Sequence, residues 1–201
     1  MENMENVNEP VERRTPEWQR SFLLCLHDLV YLLAICIVVL LLLFRVVVVS
    51  GSSMYDTLVN GDYLLLISNV FYHDPKAGDV IVASKSTFDN GAPIVKRVIA
   101  TEGQTVDIDF SQGIVYVDGV ALEEPYIYSP TTNFEGIVFP VKVEPGCIFV
   151  MGDNRMDSKD SRHPEIGLID TRQVMGRVLF LFLPGVDHGG NRDFGRIGVV
   201  S

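Results

Sequence analysis

Cysteine is scarce in this chain, with 3 among 201 residues, and histidine nearly so, with 4. So few ligands exclude a disulfide framework and a multi-metal protein. Positive charge is also in short supply: 16 Lys+Arg stand against 26 Asp+Glu, a formal net charge of −10. That balance excludes nucleic acid as a partner, because such binding rests on a basic face that neutralises phosphates. Charged residues make up only 21% of the chain, which excludes a chain too polar to bury a core. No internal repeat and no low-complexity tract occurs, and beyond residue 49 no long stretch has helical spacing. The length fits one compact domain with one appendage.

Hydrophobicity is concentrated at the amino end. Residues 29–44 read LVYLLAICIVVLLLLF, without a charge, and after Arg45 four valines continue the run. A helix over 22–49 exceeds the roughly 20 residues that cross a bilayer core. Asp28 then falls near one interface and Arg45 near the other, where a long arginine side chain can snorkel. Arg13, Arg14 and Arg20 precede the run, whereas no Lys or Arg occurs from 46 to 75. The basic flank sets orientation. The expectation is a cytoplasmic tail over 1–21, a transmembrane helix over 22–49 and an extracytoplasmic domain over 50–201. A cleavable signal peptide, cut near Val49-Ser50-Gly51, is the competing reading, but its apolar region is typically only about 7–15 residues long. Cys25 and Cys36 lie in or beside the span, so Cys147 alone remains outside and packing alone must hold that domain together.

The remainder reads as strands. Short apolar stretches recur at 63–67, 80–83, 94–100, 105–108, 114–117, 137–143, 148–151 and 174–183. Turn signals separate them, among them Asn60-Gly61-Asp62 and Glu144-Pro145-Gly146. Asp118-Gly119 between GIVYV and VAL is a two-residue hairpin signal. Residues 121–140 are turn-rich and read as an excursion from the core. The fold class expected is mainly β, a folded antiparallel sheet system with one amino-terminal transmembrane helix.

Three segments carry polar groups fit for chemistry. Residues 50–58, SGSSMYDTL, offer serines beside accessible backbone amides, or else form a flexible linker. Residues 94–99, IVKRVI, set two cations in a strand, so at least one shares a face with apolar side chains. A buried lysine gives up its proton more readily, because low dielectric disfavours the charged form. To be half neutral near pH 7, Lys must fall by about 3 pH units, roughly 4–5 kcal/mol. A hydrophobic wall without a nearby carboxylate supplies that; a lysine that snorkels to solvent is the ordinary alternative. Residues 152–162 read GDNRMDSKDSR. A calcium loop through Asp153, Asp157 and Asp160 fails, since Arg155 takes the third position and no Gly the sixth. The mixed signs suggest an internal network that holds the loop in one shape. His163 follows directly and leaves a Ser–His arrangement open. Neither a metal nor a cofactor is called for.

In order and spacing these segments resemble the bacterial type I signal peptidases, most closely the small, single-anchor Gram-positive kind. The family's S-M-x-P-T-L segment is matched by Ser53-Met54-Tyr55-Asp56-Thr57-Leu58, its K-R-V-I strand by Lys96-Arg97-Val98-Ile99, and its G-D-N-R-x-x-S-x-D-S-R loop at every specified position of 152–162. Gly78-Asp79-Val80-Ile81-Val82 is similar to a further strand of the family, so the likeness spans about 46–182. It implies Ser53 as nucleophile and Lys96 as general base, with Ser158 orienting the Lys96 amine. By the same resemblance Asp160 and Arg162 would form a structural ion pair, and Asp153 and Arg155 would support the loop. Asp56 stands where the family usually has proline, which constrains the turn less. Gly51 stands where some relatives carry an oxyanion-hole hydroxyl, so the Ser53 amide becomes the expected donor.

The resemblance implies a membrane-anchored serine endopeptidase of the bacterial cell membrane that removes signal peptides from exported preproteins at Ala-x-Ala-like sites. Its partners are then those preproteins and the lipid bilayer, with no nucleic acid and no metal. A Ser–Lys peptidase with one dedicated substrate and a non-catalytic, membrane-anchored signal-peptide-binding module are the alternatives. A Ser–His signalase is disfavoured, because Lys96 stands where that branch has histidine. From Val46 onward 20 acids face 12 bases, so attraction of the outer domain to anionic lipid by charge is not expected.

Overall fold

The computed structural model describes residues 17–186 and 190–200. Most of the expected cytoplasmic tail (1–16) and His188 lie outside these residues. The chain divides between Leu40 and Leu41 into two compact units.

The first unit is helical. Helix α1 spans Glu17–Leu43 and buries none of its residues. At 1.5 Å per residue, its 27 residues extend about 40 Å, against about 30 Å for a hydrocarbon core. Glu17 in the first turn complements the positive end of the helix dipole. By length and composition this helix can cross a membrane. It stops short of the expected residue 49, because Phe44–Val48 form strand β1 instead. The β-branched valines lose rotamer freedom in a helix and fit a pleated sheet better. Here they pair antiparallel with Tyr63–Ser68, strand β2, from Phe44↔Ile67 to Val48↔Tyr63. The apolar run is therefore shared between a helix and a sheet.

The second unit is built of antiparallel β-structure. Strands β3 (Val80–Ser84), β4 (Pro93–Thr101), β5 (Thr105–Asp109) and β6 (Ile114–Val117) coincide with apolar stretches of the sequence. So do β9 (Cys147–Met151) and β11 (Val174–Leu183). Short strands β7 (Val120–Ala121), β8 (Val141–Lys142), β10 (Ile169–Asp170) and β12 (Gly198–Val199) complete the set. One sheet runs β1-β2-β11-β3-β4-β9-β10, with β12 also on β11, and the other runs β7-β6-β5-β8. The hairpin at Asp118-Gly119 forms as the dipeptide suggests. Both residues take positive φ, 51° and 79°, and Val117 pairs with Val120 across them.

Of the stretch 137–143 only Val141–Lys142 is strand. Pro140 has no N–H to give to a ladder, and Phe139 instead packs edge-on against Phe110 and Phe149, at ring separations of 5.8 and 6.0 Å. Residues 121–140 hold almost no regular structure, as an excursion should, yet they are not detached. Thr131 is fully buried, and Leu122 and Phe139 pack on the core beneath. Strand β4 is buried without alternation from Lys96 to Ala100, so two cations lie in a strand covered on both faces.

Candidate active site

The turn that carries Ser53 is anchored from below and from the side. Met54 and Leu58 are buried in a core cluster with Val49, Leu64, Leu66 and Val82, and Leu58 N–H donates to Met54 O at 2.8 Å. From the opposite segment, Asn154 N–H donates to Ser53 O at 3.0 Å, and its side-chain amide donates to Ser52 O at 3.2 Å. The Ser52 hydroxyl is engaged separately, donating to Asp157 at 2.5 Å. A flexible juxtamembrane linker has no such fixings. Ser53 N–H donates to no acceptor among the described residues.

Lys96 Nζ donates to Ser53 Oγ at 2.6 Å across 43 residues of chain. Lys96 is 4% exposed, and burial pushes its amine down to about 8. The carboxylates of Asp160, Glu135 and Asp153 pull the other way, and Arg162 adds to the depression. The surroundings are therefore not the carboxylate-free wall read from the sequence. Desolvation prevails over three nearby acids. The neighbouring Arg97 faces elsewhere: its guanidinium grips Asp153 with two bonds of 2.9 and 2.8 Å, donates to Gly78 O and lies 4.0 Å from the Tyr126 ring centre.

The loop at 152–162 is held by buried ion pairs. Arg162 grips Asp160 with Nε and Nη2, at 2.9 and 2.8 Å, and both residues are wholly buried. Burial pushes the Asp160 carboxyl up, but the Arg162 bonds and charge outweigh it and hold it below its ordinary range. Arg155 donates to Glu124, to Thr131 Oγ1 at 2.8 Å and to Gly152 O at 3.0 Å. Asp153 accepts from Thr57 Oγ1 at 2.6 Å as well as from Arg97, tying the loop to the turn after Ser53. Asp153, Asp157 and Asp160 thus turn to three different partners.

Ser158 departs from the role the resemblance implies. Its hydroxyl donates to Asp160 at 2.8 Å, and among the described residues the Lys96 amine bonds to Ser53 instead. Gly152 fills the tightest point. A Cβ there would lie 2.2 Å from Ser158 Oγ and 2.3 Å from Ser53 O, so only glycine lets the loop approach the Ser53 backbone this closely. His163 stays on its own loop, accepting from Glu165 N–H at 3.2 Å.

Four contributors were missed in the sequence: Arg97, Glu124, Thr131 and Glu135. Glu135 Oε1 lies 3.3 Å from Arg162 Nη2. Three of the four come from the excursion at 121–140, where the only signal was acidic side chains in an otherwise turn-rich stretch.

A cleft of about 470 Å³ lies beside Ser53 and Lys96, lined on one side by Val47–Val49 and on the other by Pro93–Val95. Among the described residues strand β1 pairs only with β2. In β4, pairing with β9 begins at Arg97, so Pro93–Lys96 have a partner on the β3 side only. Two open sheet edges therefore border the cleft.

Comparison with known proteins identifies the family. The family described as "Signal peptidase, peptidase S26" matches residues 23–183. The chain is 33% identical over 176 residues to signal peptidase I of Bacillus amyloliquefaciens, covering 84% of this chain and 85% of the relative. It is 38% identical over 144 residues to the probable signal peptidase I-1 of Synechocystis (68% and 69% covered). To signal peptidase I T of Bacillus subtilis it is 37% identical over 150 residues (71% and 75%). A crystal structure of a signal peptidase I from Enterococcus faecalis aligns with a TM-score of 0.43 at 30% identity, covering 52% of this chain and 96% of that one. The relatives make this protein a serine endopeptidase. It belongs to the signal peptidase family, peptidase S26, with the bacterial type I enzymes.

Proposed function

We propose that Ser53 and Lys96 are the catalytic pair of this signal peptidase. The observation that carries the reading is the 2.6 Å contact between Lys96 Nζ and Ser53 Oγ, made by an amine depressed to about 8 by burial. At pH 7 about one lysine in ten is then neutral, enough to act as a general base without a histidine. The neutral amine takes the Ser53 proton as Oγ attacks the scissile carbonyl. The Ser53 N–H, without an acceptor among the described residues, stabilises the oxyanion. The ammonium returns its proton to the leaving amine, and water activated by Lys96 then releases the acyl-enzyme.

Substrate lies extended in the cleft, adding a strand to the edges of β1 and of Pro93–Lys96, with shallow walls that accept small side chains. This suits Ala-x-Ala-like sites on exported preproteins. Helix α1 anchors the enzyme in the membrane, and the basic residues Arg13, Arg14 and Arg20 keep the amino end in the cytoplasm. The β domain then works on the outer side, where the apolar part of a signal peptide emerges. Ser158 and Asp160, with Arg162, Asp153 and Arg155, position the loop against Ser53.

Cleavage of a test preprotein by the full chain in detergent checks this. Activity at an Ala-x-Ala site, lost in Ser53→Ala and in Lys96→Met while both stay folded, is expected. Robust cleavage by either variant overturns the roles.

A further inference from the structure

Glu135 is a titratable group beside the catalytic pair that the mechanism above does not use. Its side chain is 9% exposed. One carboxylate oxygen lies 3.3 Å from Arg162, and the other is buried with no hydrogen-bond partner. The contacts run without a break from there to the nucleophile. Arg162 holds Asp160, Asp160 accepts from Ser158, and Ser158 packs with Gly152 against the Ser53 carbonyl.

Charge balance makes this placement consequential. The buried cations that hold the loop are Arg97, Arg155 and Arg162, and the carboxylates paired with them are Asp153, Glu124, Asp160 and Glu135. Three positive charges meet four negative ones. The network is neutral when Lys96 is an ammonium. A neutral Lys96, the form a general base requires, leaves the network with one negative charge in excess, which a proton on one of the four carboxylates removes. Asp153 and Asp160 each accept from a guanidinium through both oxygens and from further donors, and both oxygens of Glu124 accept from Arg155. Glu135 has the weakest hold on its ionised form and an oxygen free to carry a proton.

We infer that Glu135 is a positioning residue for catalysis whose protonation is coupled to that of Lys96, the protonated carboxyl favouring the neutral amine and the carboxylate favouring the ammonium. The inference rests on Lys96 as general base. The groups facing Lys96 are Asp160, Glu135, Arg162 and Asp153, and those facing Glu135 are Asp160, Arg162 and Lys96. Burial and the Asp160 charge push Glu135 up to about 7, against the pull of Arg162, the Asp160 backbone N–H and Lys96, so both partners titrate between about pH 6 and 9.

The test is an NMR titration of Lys96 in the full chain in detergent, the resonance assigned by its disappearance in Lys96→Met. In Glu135→Gln the Lys96 midpoint is expected to fall by about one pH unit, and Glu135→Asp restores it. In parallel, kcat/KM of Glu135→Gln exceeds wild type between about pH 7 and 8, where the wild-type carboxylate has formed and holds the amine protonated. It drops below wild type at about pH 9, since the amine becomes more available but a weaker base. A purely structural role does not produce that crossing. An unchanged or raised midpoint in Glu135→Gln overturns the inference. Should that variant not fold, wild type decides: a second inflection of the Lys96 resonance near pH 7 supports the coupling, and a single inflection refutes it. The midpoint responds whatever Lys96 does in catalysis, so failure here is separable from failure of the general-base role, which the activity of Lys96→Met reports.

Discussion

Replacing Lys96 by methionine should abolish activity and also stabilise the protein. Lys96 is 4% exposed, so its charge is scarcely screened by solvent. Burial lowers its amine from the ordinary 10.5 to about 8. At about 1.4 kcal/mol for each pH unit, holding the proton in the folded state below pH 8 costs about 3 kcal/mol. Methionine has similar length and no charge to desolvate. It forfeits the hydrogen bond to Ser53, about 1 kcal/mol, which leaves a net gain of about 2 kcal/mol at neutral pH. For a β domain of this size that raises Tm by about 4–8 °C.

The pH dependence is the sharper check. Between pH 8 and 10.5 the unfolded chain keeps the Lys96 proton that the folded chain has lost, so wild-type stability rises with pH relative to the variant. The gap between the two proteins should be constant below about pH 6, where Lys96 and Glu135 both keep their protons. It should shrink by about 3 kcal/mol as the pH approaches 10.5. Circular dichroism of the full chain in detergent, melted at a series of pH values, measures both. A variant less stable than wild type at pH 7, or a gap that ignores pH above 8, refutes the desolvation argument.

Two further outcomes follow from the geometry. If Lys96 is the general base, as proposed, its amine must be neutral; since it sits at about 8, kcat/KM should climb about tenfold for each pH unit below that value and level off above it. A profile flat from pH 6 to 9 contradicts the role given to Lys96. Gly152→Ala drives a methyl group to within 2.3 Å of the Ser53 carbonyl oxygen. It should cost about 1–3 kcal/mol of stability through overpacking and on the order of 100-fold in kcat through misplacement of the nucleophile. Adding Ser158→Ala should not rescue it, since the Ser53 carbonyl belongs to the backbone. A thermal melt and steady-state kinetics of the two variants report both effects.

Local pattern made much of the fold legible. Short apolar runs bounded by turn signals, such as 63–67 after Asn60-Gly61-Asp62, and the Asp118-Gly119 turn specify their conformations within a few residues. Which side chains of an unbroken run turn inward (Leu64 and Leu66) is decided by the fold. The valines after Arg45 were ambiguous for a physical reason. A continuous apolar run has no period, so helix and strand cannot be told apart by periodicity, and the pairing of Val46 with Leu65 decides between them from outside the segment. Long-range polar partners were harder still. Nothing local says that Arg97 will close on Asp153, 56 residues away, or that Glu124 will reach Arg155 across 31. Residues 121–140, lacking a strand pattern, gave no hint that they supply the counter-charges of the loop. The partner of the Ser158 hydroxyl, Asp160 rather than Lys96, depends on side-chain geometry that a motif does not contain.

The distribution of charge explains how so polar a loop can lie against a lysine whose proton affinity is lowered. An isolated hydrophobic pocket lowers the affinity of an amine for its proton but offers nothing to align a nucleophile. Ion pairs align it well, yet any excess carboxylate strengthens the ammonium. Here the arginines absorb most of the negative charge: Arg97 takes Asp153, Arg155 takes Glu124 and Arg162 takes Asp160. Each guanidinium–carboxylate pair is geometrically rigid and nearly neutral at a distance, so the loop gains stiffness at little electrostatic expense to Lys96. The remaining pull on the amine comes from incomplete cancellation, with Glu135 the least compensated of the four acids. A loop stiffened by neutral polar contacts alone would leave Lys96 lower than about 8. One with a further unpaired carboxylate would return it toward 10.5 and remove the base.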